Sequence, residues 1–420
     1  MTLAIRNAWL PDQGRLHVQV EGEQIVAMGA DLPLPEGAEV LDAEGMAMLP
    51  GLVNGHGHAA MTLMRGFADD MPLMEWLQSR IWPVEARLSE EDVYWGTRLA
   101  CLEMIRSGTL FFSDMYWHFH GVARAVEQSG LRAFLGAGMI DVAGEEQGRA
   151  CRALAEKQCE EVTAYSDRLR LTLSPHSIYA VSGNNLTWVR EFAARHGLLV
   201  QIHLSETHYE VEECLRLHGV RPAVYLEQLG LLHEGVVLAH AVHLDDAELE
   251  LIARRGATLV TNPISNMKLA VGGVFPYRKA AVRQIPIALG TDGAVSNNTL
   301  DMFQNMKMLT LLQKHAEQDP TLLPADEVWA IATGRRAPVF GQSGRLAVGE
   351  KADFVLLRHT VPEMTPLHHF FSNMVYAASG QWVDTAVVAG RVLMRNRQVA
   401  DAEEICHEVN ARGQYLCRKG

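Results

Sequence analysis

Eight short apolar runs between residues 46 and 293 alternate with longer segments in which apolar residues recur at helical spacing. Most of the runs are continuously apolar, which is typical of strands covered on both faces in a parallel sheet. Their alternation with helical segments predicts repeated βα units. The predicted strands are 46–58, 109–114, 132–138, 169–177, 198–206, 236–243, 257–263 and 286–293.

Signals for helix ends separate these strands. Ser89 and Asp92 have the spacing of a capping box before VYWGTRLACLEMIR, and Gly108 follows that helix. Eight such units predict a (β/α)₈ barrel. An open doubly wound sheet is the alternative, but no phosphate-binding glycine fingerprint follows the first strand. Further glycines stand where a helix should stop before the next strand: Gly130, Gly197, Gly230 and Gly256.

The two ends of the chain have a different pattern, with short β-like runs separated by Gly and Asp turns. Residues 1–48 contain HVQVEGEQIVAMG, and residues 345–420 contain GEKADFVLLR and DTAVVAGRVLMRNRQVA. A single core stops growing at roughly 250–300 residues, and this chain has 420. We therefore expect a smaller composite β-sandwich domain, built from both termini, beside a barrel domain of residues 49–344.

Polar side chains mark the ends of the predicted strands. His56 and His58 end the first one, in PGLVNGHGH, and alternate residues of an extended chain point to the same face. A lone pair of this kind also occurs as two polar loop residues. Active sites of (β/α)₈ barrels lie at the carboxyl ends of the strands, so a ring of such residues predicts a metal site. The other strand-end residues are Asp114, His176, His203 with Glu206, His240 and Asp292.

Composition narrows the classes of partner. The net charge of 37 − 50 = −13 argues against nucleic acid or an anionic membrane surface. No apolar run approaches the roughly 20 residues of a membrane span, and the N-terminus lacks the pattern of a signal peptide. None of the six cysteines forms a CxxC pair, which disfavours a zinc ribbon or a disulfide scaffold. We expect a cytoplasmic protein.

Several motifs, taken in order, resemble the amidohydrolase superfamily: PGLVNGHGH, SPHS, HLSET, AHAVHL and LGTDGAVSNN. More narrowly, HGHAAMTLMRGFADDMPLMEWL and TPLHHFFSNMVYAASG resemble the 5′-methylthioadenosine/S-adenosylhomocysteine deaminases. The resemblance spans nearly the whole chain. It implies one divalent metal, zinc or iron, because both suit imidazole and carboxylate ligands. The implied ligands are His56, His58, His203 and Asp292.

Other branches of the superfamily bind two metals through a carboxylated lysine on the fourth strand. LRLTLSPHS contains no lysine, which favours a mononuclear site. The resemblance implies that a metal-bound hydroxide attacks C6 of an adenine ring, with Glu206 as the proton shuttle to N1. Asp292 would accept and return a proton, and His240 would orient the hydroxide. Glu206 as a helix N-cap, His240 as a fifth ligand and a role for His243 in place of His240 are the alternatives.

The substrate-binding residues follow from the same resemblance. Glu85 matches a carboxylate that holds the ribose hydroxyls, His176 matches a histidine that grips the purine, and Arg149 matches a basic loop residue. Trp82 could line an apolar pocket together with Met61, Met64 and Met71, and such a pocket would suit a thioether substituent of the substrate. A solvated charge at Glu85 and ordinary core packing of the apolar residues are the alternatives. We expect Asp114 to be structural.

The predicted function is hydrolytic deamination of an adenine nucleoside, with 5′-methylthioadenosine favoured, adenosine accepted and S-adenosylhomocysteine a weaker substrate. Some relatives that accept S-adenosylhomocysteine carry an arginine where this chain has Ala137, which leaves Arg149, or Arg152, to meet its carboxylate. A triazine chlorohydrolase or a guanine-type deaminase is the second enzyme hypothesis. A non-catalytic metal-binding protein is the alternative outside enzymes. We also expect a homo-oligomer.

Overall fold

A computed structural model describes residues 2–418 and contains two β-sheets. The first sheet begins with five strands near the N-terminus and is completed by three strands near the C-terminus. The N-terminal strands are β1 (Thr2–Leu10), β2 (Gly14–Glu21), β3 (Gln24–Gly29), β4 (Glu39–Asp42) and β5 (Met46–Pro50).

The second sheet contains the strands of the barrel, followed in the chain by the remaining strands of the first sheet. The barrel strands are β6 (Leu52–His58), β7 (Thr109–Tyr116), β8 (Arg132–Met139), β9 (Leu169–Pro175), β10 (Leu199–Leu204), β11 (Val236–His240), β12 (Thr258–Thr261), β13 (Ile287–Leu289) and β14 (Asp292–Gly293). The C-terminal strands are β15 (Phe354–Arg358), β16 (Val383–Val388) and β17 (Arg391–Met394).

Sixteen α-helices lie within the described residues 2–418, and most of them connect barrel strands. The first eight are α1 (Leu73–Trp76), α2 (Trp82–Glu85), α3 (Glu90–Ser107), α4 (Phe119–Ser129), α5 (Glu145–Glu161), α6 (Gly183–His196), α7 (His208–His218) and α8 (Pro222–Gln228). The others are α9 (Asp246–Arg255), α10 (Pro263–Lys268), α11 (Tyr277–Val282), α12 (Ala294–Asn297), α13 (Met302–Glu317), α14 (Ala325–Ala332), α15 (Phe370–Tyr376) and α16 (Ala402–Arg418).

The barrel strands are parallel and run in sequence order around the ring from β6 to β13. The predicted eighth strand is split into β13 and β14, and β14 pairs with β6 through Asp292 opposite Gly57, which closes the ring. A (β/α)₈ barrel beside a smaller sheet from both termini, the fold predicted from the sequence, is confirmed. No helix among residues 2–418 has both the length and the apolar character to cross a membrane.

The predicted helix ends agree with the structure. Ser89 caps α3 in a complete capping box, because the Asp92 amide donates to the Ser89 side chain and the Asp92 carboxylate accepts the Ser89 amide. Gly108 ends α3 in the left-handed conformation at φ 84°, where an L side chain is disfavoured. Each helix therefore stops in time for the next strand to enter the ring.

The strands of the two termini form one continuous sheet, in the order β17, β16, β15, β5, β1, β2, β3, with β4 pairing beside β1. The sheet curls until β3 meets the segment before β15, where the Ile25 amide donates to the Glu350 carbonyl at 3.0 Å and the Ala352 amide to the Glu23 carbonyl at 2.8 Å. The predicted composite β-sandwich is thus built by a single curled sheet. It buries Val18, among other residues from both ends of the chain.

Candidate active site

Four side chains converge at the carboxyl ends of three barrel strands. His56 and His58 come from β6, His203 from β10 and Asp292 from β14, and one ligand atom from each lies within 4.8 Å of the others. His58 Nε2 is 3.1 Å from Asp292 Oδ1 and 3.4 Å from His203 Nε2. Three imidazoles and a carboxylate form a donor set typical of a divalent transition metal.

The contacts behind these ligands fix their orientation. His58 Nδ1 and His203 Nδ1 each lie 2.7 Å from a backbone carbonyl, of Met115 and His176 respectively. A carbonyl can only accept, so both Nδ1 atoms carry a proton and both Nε2 atoms face the cluster. His56 is fully buried, and neither of its ring nitrogens has a hydrogen-bond partner within residues 2–418. A buried, unpartnered ring nitrogen is what a metal would satisfy, so these residues fit a metal ion.

Two serines hold the carboxylate of Asp292. Ser265 Oγ donates to Asp292 Oδ2 at 2.5 Å, and Ser296 Oγ donates to the same oxygen at 2.8 Å. The other oxygen, Oδ1, is left to face His56 and His58. Sequence reasoning missed both serines. Ser296 lies within the LGTDGAVSNN motif, four residues after Asp292, whereas nothing in the sequence links Ser265 to it.

Burial and charge set the protonation of the cluster. Burial lowers the pKa of His56 and His203 well below its ordinary value, which favours the neutral form that binds metals. Burial opposes ionisation of Asp292, but the His58 hydrogen bond and the neighbouring histidines hold its pKa well below the usual range. At His58 the hydrogen bond to Asp292 and the charge of that carboxylate outweigh burial and raise the pKa to about 9. Metal binding at His58 must therefore release a proton.

Glu206 and His240 lie beside the ligands. His240 Nδ1 is 2.8 Å from Asn266 Oδ1 and 3.7 Å from Glu206 Oε1. Burial raises the pKa of the Glu206 carboxyl, which shifts it towards the protonated form. His240 is outside the four-residue ligand cluster. His243 Nε2 donates to the Val271 carbonyl at 2.7 Å, and His243 is absent from the pocket lining.

The backbone at the mouth of the barrel is strained at three of these positions. His240, Asp292 and Ser205, the residue before Glu206, have φ values of 69°, 62° and 50°. Such left-handed conformations are uncommon for residues other than glycine. Their clustering at one set of strand ends is typical of functional sites, where the surrounding structure holds a strained turn in place.

A pocket opens above the cluster. Glu206, His240, His176, Tyr179 and Glu85 line it together with His58, His203 and Asp292. Burial raises the pKa of Glu85, which lies against Tyr116 and Trp117. None of the lining residues within the described chain is Lys or Arg. The apolar wall consists of Met61, Leu73, Trp76, Leu77, Trp82, Met115, Trp117, Met139, Ile140 and Leu269.

The structure leaves several predicted residues outside this pocket. Arg149 is exposed on α5, and Arg152 pairs with Glu145 and donates to Asn185. Ala137 is 3% exposed and packs in the main hydrophobic core. None of the three residues Ala137, Arg149 and Arg152 belongs to the pocket lining. The structure therefore does not place either arginine in the wall of this pocket.

Other predicted residues prove to be packing elements. Met64 is fully buried in the core and Met71 lies half-buried against it, so only Met61 of the three methionines reaches the pocket. Asp114 is buried and accepts the Ala59 amide at 2.6 Å. That bond holds the turn that follows His58, which agrees with the predicted structural role of Asp114.

The fold and the site define a barrel hydrolase, and comparison with known proteins agrees. Residues 47–393 match the Amidohydrolase family, and the chain belongs to that family, as predicted. The 5′-deoxyadenosine deaminase of Methanoregula boonei is 44% identical over 382 residues, which cover 90% of this chain and 86% of the relative. The 5-methylthioadenosine/S-adenosylhomocysteine deaminase of Desulforudis audaxviator is 44% identical over 418 residues, which cover 96% of each chain.

A solved structure shows the same architecture. The adenosine deaminase of Xanthomonas campestris with bound zinc superposes with a TM-score of 0.92 at 33% identity. The superposition covers 99% of this chain and 98% of the other. The similarity therefore includes both the barrel and the terminal sheet.

Proposed function

We propose that this protein is a metal-dependent hydrolase that removes the C6 amino group of an adenine nucleoside and releases the inosine analogue and ammonia. The observation that carries the proposal is the position of Glu206. It is a buried carboxyl that lines the same pocket as the metal-binding residues His58, His203 and Asp292 and as a second carboxyl, Glu85. The relatives named as adenosine, 5′-deoxyadenosine and 5-methylthioadenosine deaminases support the same reaction.

His56, His58, His203 and Asp292 would hold one divalent metal ion. Zinc is favoured by the three imidazoles and by the zinc in the Xanthomonas relative, and iron is the alternative. When bound, the metal supplies Lewis acidity that lets water react at neutral pH.

The residues around the cluster transfer protons and orient the reacting oxygen. Glu206 delivers a proton to ring nitrogen N1 as the attack at C6 breaks the aromaticity of the ring. Asp292 takes a proton from the attacking water and returns it to the departing ammonia. His240, held by Asn266, hydrogen-bonds the oxygen that adds to C6.

The rest of the pocket would bind the nucleoside. His176 and Trp82 contact the purine from the pocket wall, and Glu85 accepts hydrogen bonds from the two ribose hydroxyls. Apolar side chains and the lack of Lys and Arg in the lining favour a neutral 5′ substituent, such as methylthio, over a charged amino acid. Arg149, which the sequence predicts to bind substrate, is exposed on α5 outside the pocket lining, so its role stays a prediction.

An assay of ammonia release from 5′-methylthioadenosine, adenosine and guanine, and of chloride release from a chlorotriazine, tests the proposed reaction. We expect turnover of the two nucleosides. A triazine or guanine-type activity is the alternative, and Glu85 separates the two because only a ribose diol needs its carboxylate. Glu85→Gln should raise KM for the nucleosides. Turnover of guanine or the chlorotriazine alone, unaffected by Glu85→Gln, would favour the alternative.

Three wider features belong to the same proposal. All six cysteines are unpaired, which supports a reducing, cytoplasmic location. We keep the domain division at 49–344 with 1–48 and 345–420, although α16 contacts the barrel through the Arg412–Asp92 ion pair at 2.8 Å. A homo-oligomer and the lack of a nucleic-acid or membrane partner also stay predictions.

A further inference from the structure

Glu210 is a buried carboxylate for which the proposed reaction gives no role. It is 1% exposed and lies in the first turn of α7, four residues after Glu206. Its Oε1 accepts the Ser205 amide at 2.9 Å, and its Oε2 accepts the Glu206 amide at 2.9 Å. Both oxygens of one side chain therefore hold the two successive peptide groups that carry the proposed proton shuttle.

The turn that Glu210 holds needs such support. Ser205 has φ 50°, a left-handed conformation that costs free energy for a residue with a side chain. Ser205 and Glu206 are both buried, and their amides have no acceptor other than Glu210 among residues 2–418, so without Glu210 they would lack partners. The ordinary capping role at this helix falls to Thr207, whose side chain accepts the Glu210 amide at 3.2 Å.

The side chain of Glu206 has no hydrogen bond to any residue in 2–418 that would fix its place. The nearest polar contact is His240 Nδ1 at 3.7 Å. A group that carries a proton between two atoms has to be free to exchange partners, so its position must come from its own main chain. That main chain is the segment held by Glu210.

We propose that Glu210 is a positioning residue for the reaction and acts through Glu206 by fixing the peptide groups of Ser205 and Glu206. This inference rests on the proposed role of Glu206. Small displacements of a reacting group lower turnover far more than they lower substrate binding. Loss of Glu210 should therefore reduce kcat and leave KM and metal content nearly unchanged.

Glu210→Gln is the sharpest variant, because an amide keeps the shape but can accept only one of the two N–H groups. We expect kcat for 5′-methylthioadenosine to fall about tenfold or more, with KM within about threefold of the parent value. Glu210→Asp keeps the charge but is too short to span both amides, and it carries the same expectation should the glutamine variant prove too unstable to purify.

Glu248 provides a matched control. It is also a fully buried glutamate in the first turn of a helix, α9, and it accepts the Ala223 amide at 3.0 Å and the Asp245 amide at 3.2 Å. It holds no residue of the proposed site. Glu248→Gln should therefore lower thermal stability but not kcat.

A double-mutant cycle separates positioning from general damage. If Glu210 acts through Glu206, adding Glu210→Gln to Glu206→Gln should lower kcat no further. The inference would be overturned if the two variants' reductions in kcat multiplied in the double variant. An unchanged kcat in Glu210→Gln alone, or loss of metal from Glu210→Gln, would also overturn it. Near-normal turnover by Glu206→Gln alone would instead overturn the proposed role of Glu206.

Discussion

Ser265 Oγ donates a 2.5 Å hydrogen bond to Oδ2 of Asp292, which leaves Oδ1 of that carboxylate 3.1 Å from His58 Nε2. The pair shows how the site assigns separate tasks to the two oxygens of one side chain. One oxygen is anchored to α10, which follows the seventh barrel strand β12, and the other faces the metal-binding histidines. A carboxylate held in this way loses less freedom when it binds a metal.

Ser265→Ala should therefore weaken metal binding about 10- to 100-fold, since outer hydrogen bonds of this kind contribute that much to affinity. Competition with a chelator of known affinity measures the change. Ser129→Ala is the control, because Ser129 Oγ bonds the Val126 carbonyl at the end of α4, away from the site. Equal metal affinity in Ser265→Ala and the parent protein would show that Ser296 alone anchors Asp292.

The metal content should be about one divalent ion per chain, because the four ligands form a single cluster and the fourth strand has no lysine. Chelation should abolish turnover and lower the unfolding temperature, since an ion that binds only the folded state stabilises it. Elemental analysis and thermal unfolding provide these measurements, and restoration with zinc or with iron(II) identifies the better metal. Two ions in fully active protein would contradict the mononuclear site.

Glu206→Gln should reduce turnover at least ~10²-fold, because the amide has the shape of the acid but cannot deliver its proton. Metal content should not change, since Glu206 is outside the ligand cluster. Glu212→Gln, at an exposed position of α7, is the control for the loss of a negative charge and should keep parental activity. Loss of metal from Glu206→Gln would mean that Glu206 is a ligand.

Methylthioadenosine and adenosine should show higher kcat/KM than S-adenosylhomocysteine. The charged tail of the last substrate has no cationic partner in the pocket lining, and an unpaired buried charge costs on the order of 2–5 kcal/mol. Competition among the three nucleosides measures the preference, and a clear preference for S-adenosylhomocysteine would refute it. Ala137→Arg does not test the idea in this structure, because position 137 packs in the core.

Leu73→Arg is the better variant for that test, since Leu73 is half-buried on α1 and lines the pocket. It should raise kcat/KM for S-adenosylhomocysteine relative to methylthioadenosine. Glu75→Arg adds a positive charge to the same helix at an exposed position outside the lining, and its relative kcat/KM should not change.

The sequence by itself determined the barrel and the residues at its mouth. Continuous apolar runs identify strands buried on both faces, and a two-residue period places His56 and His58 on one face. Because parallel strands end at the same edge, His203 and Asp292, far apart in the chain, could be assigned to the same site.

Only the tertiary structure decided which groups stand behind those residues. Ser265 and Glu210 act through hydrogen bonds below 3 Å whose geometry depends on left-handed turns at Asp292 and Ser205, and local sequence patterns do not encode such turns for residues other than glycine. The same holds for Arg149, whose exposed position outside the pocket lining only the structure shows. The strand pattern predicted a β-sandwich from the two termini, but long-range pairing determined that one curled sheet builds it.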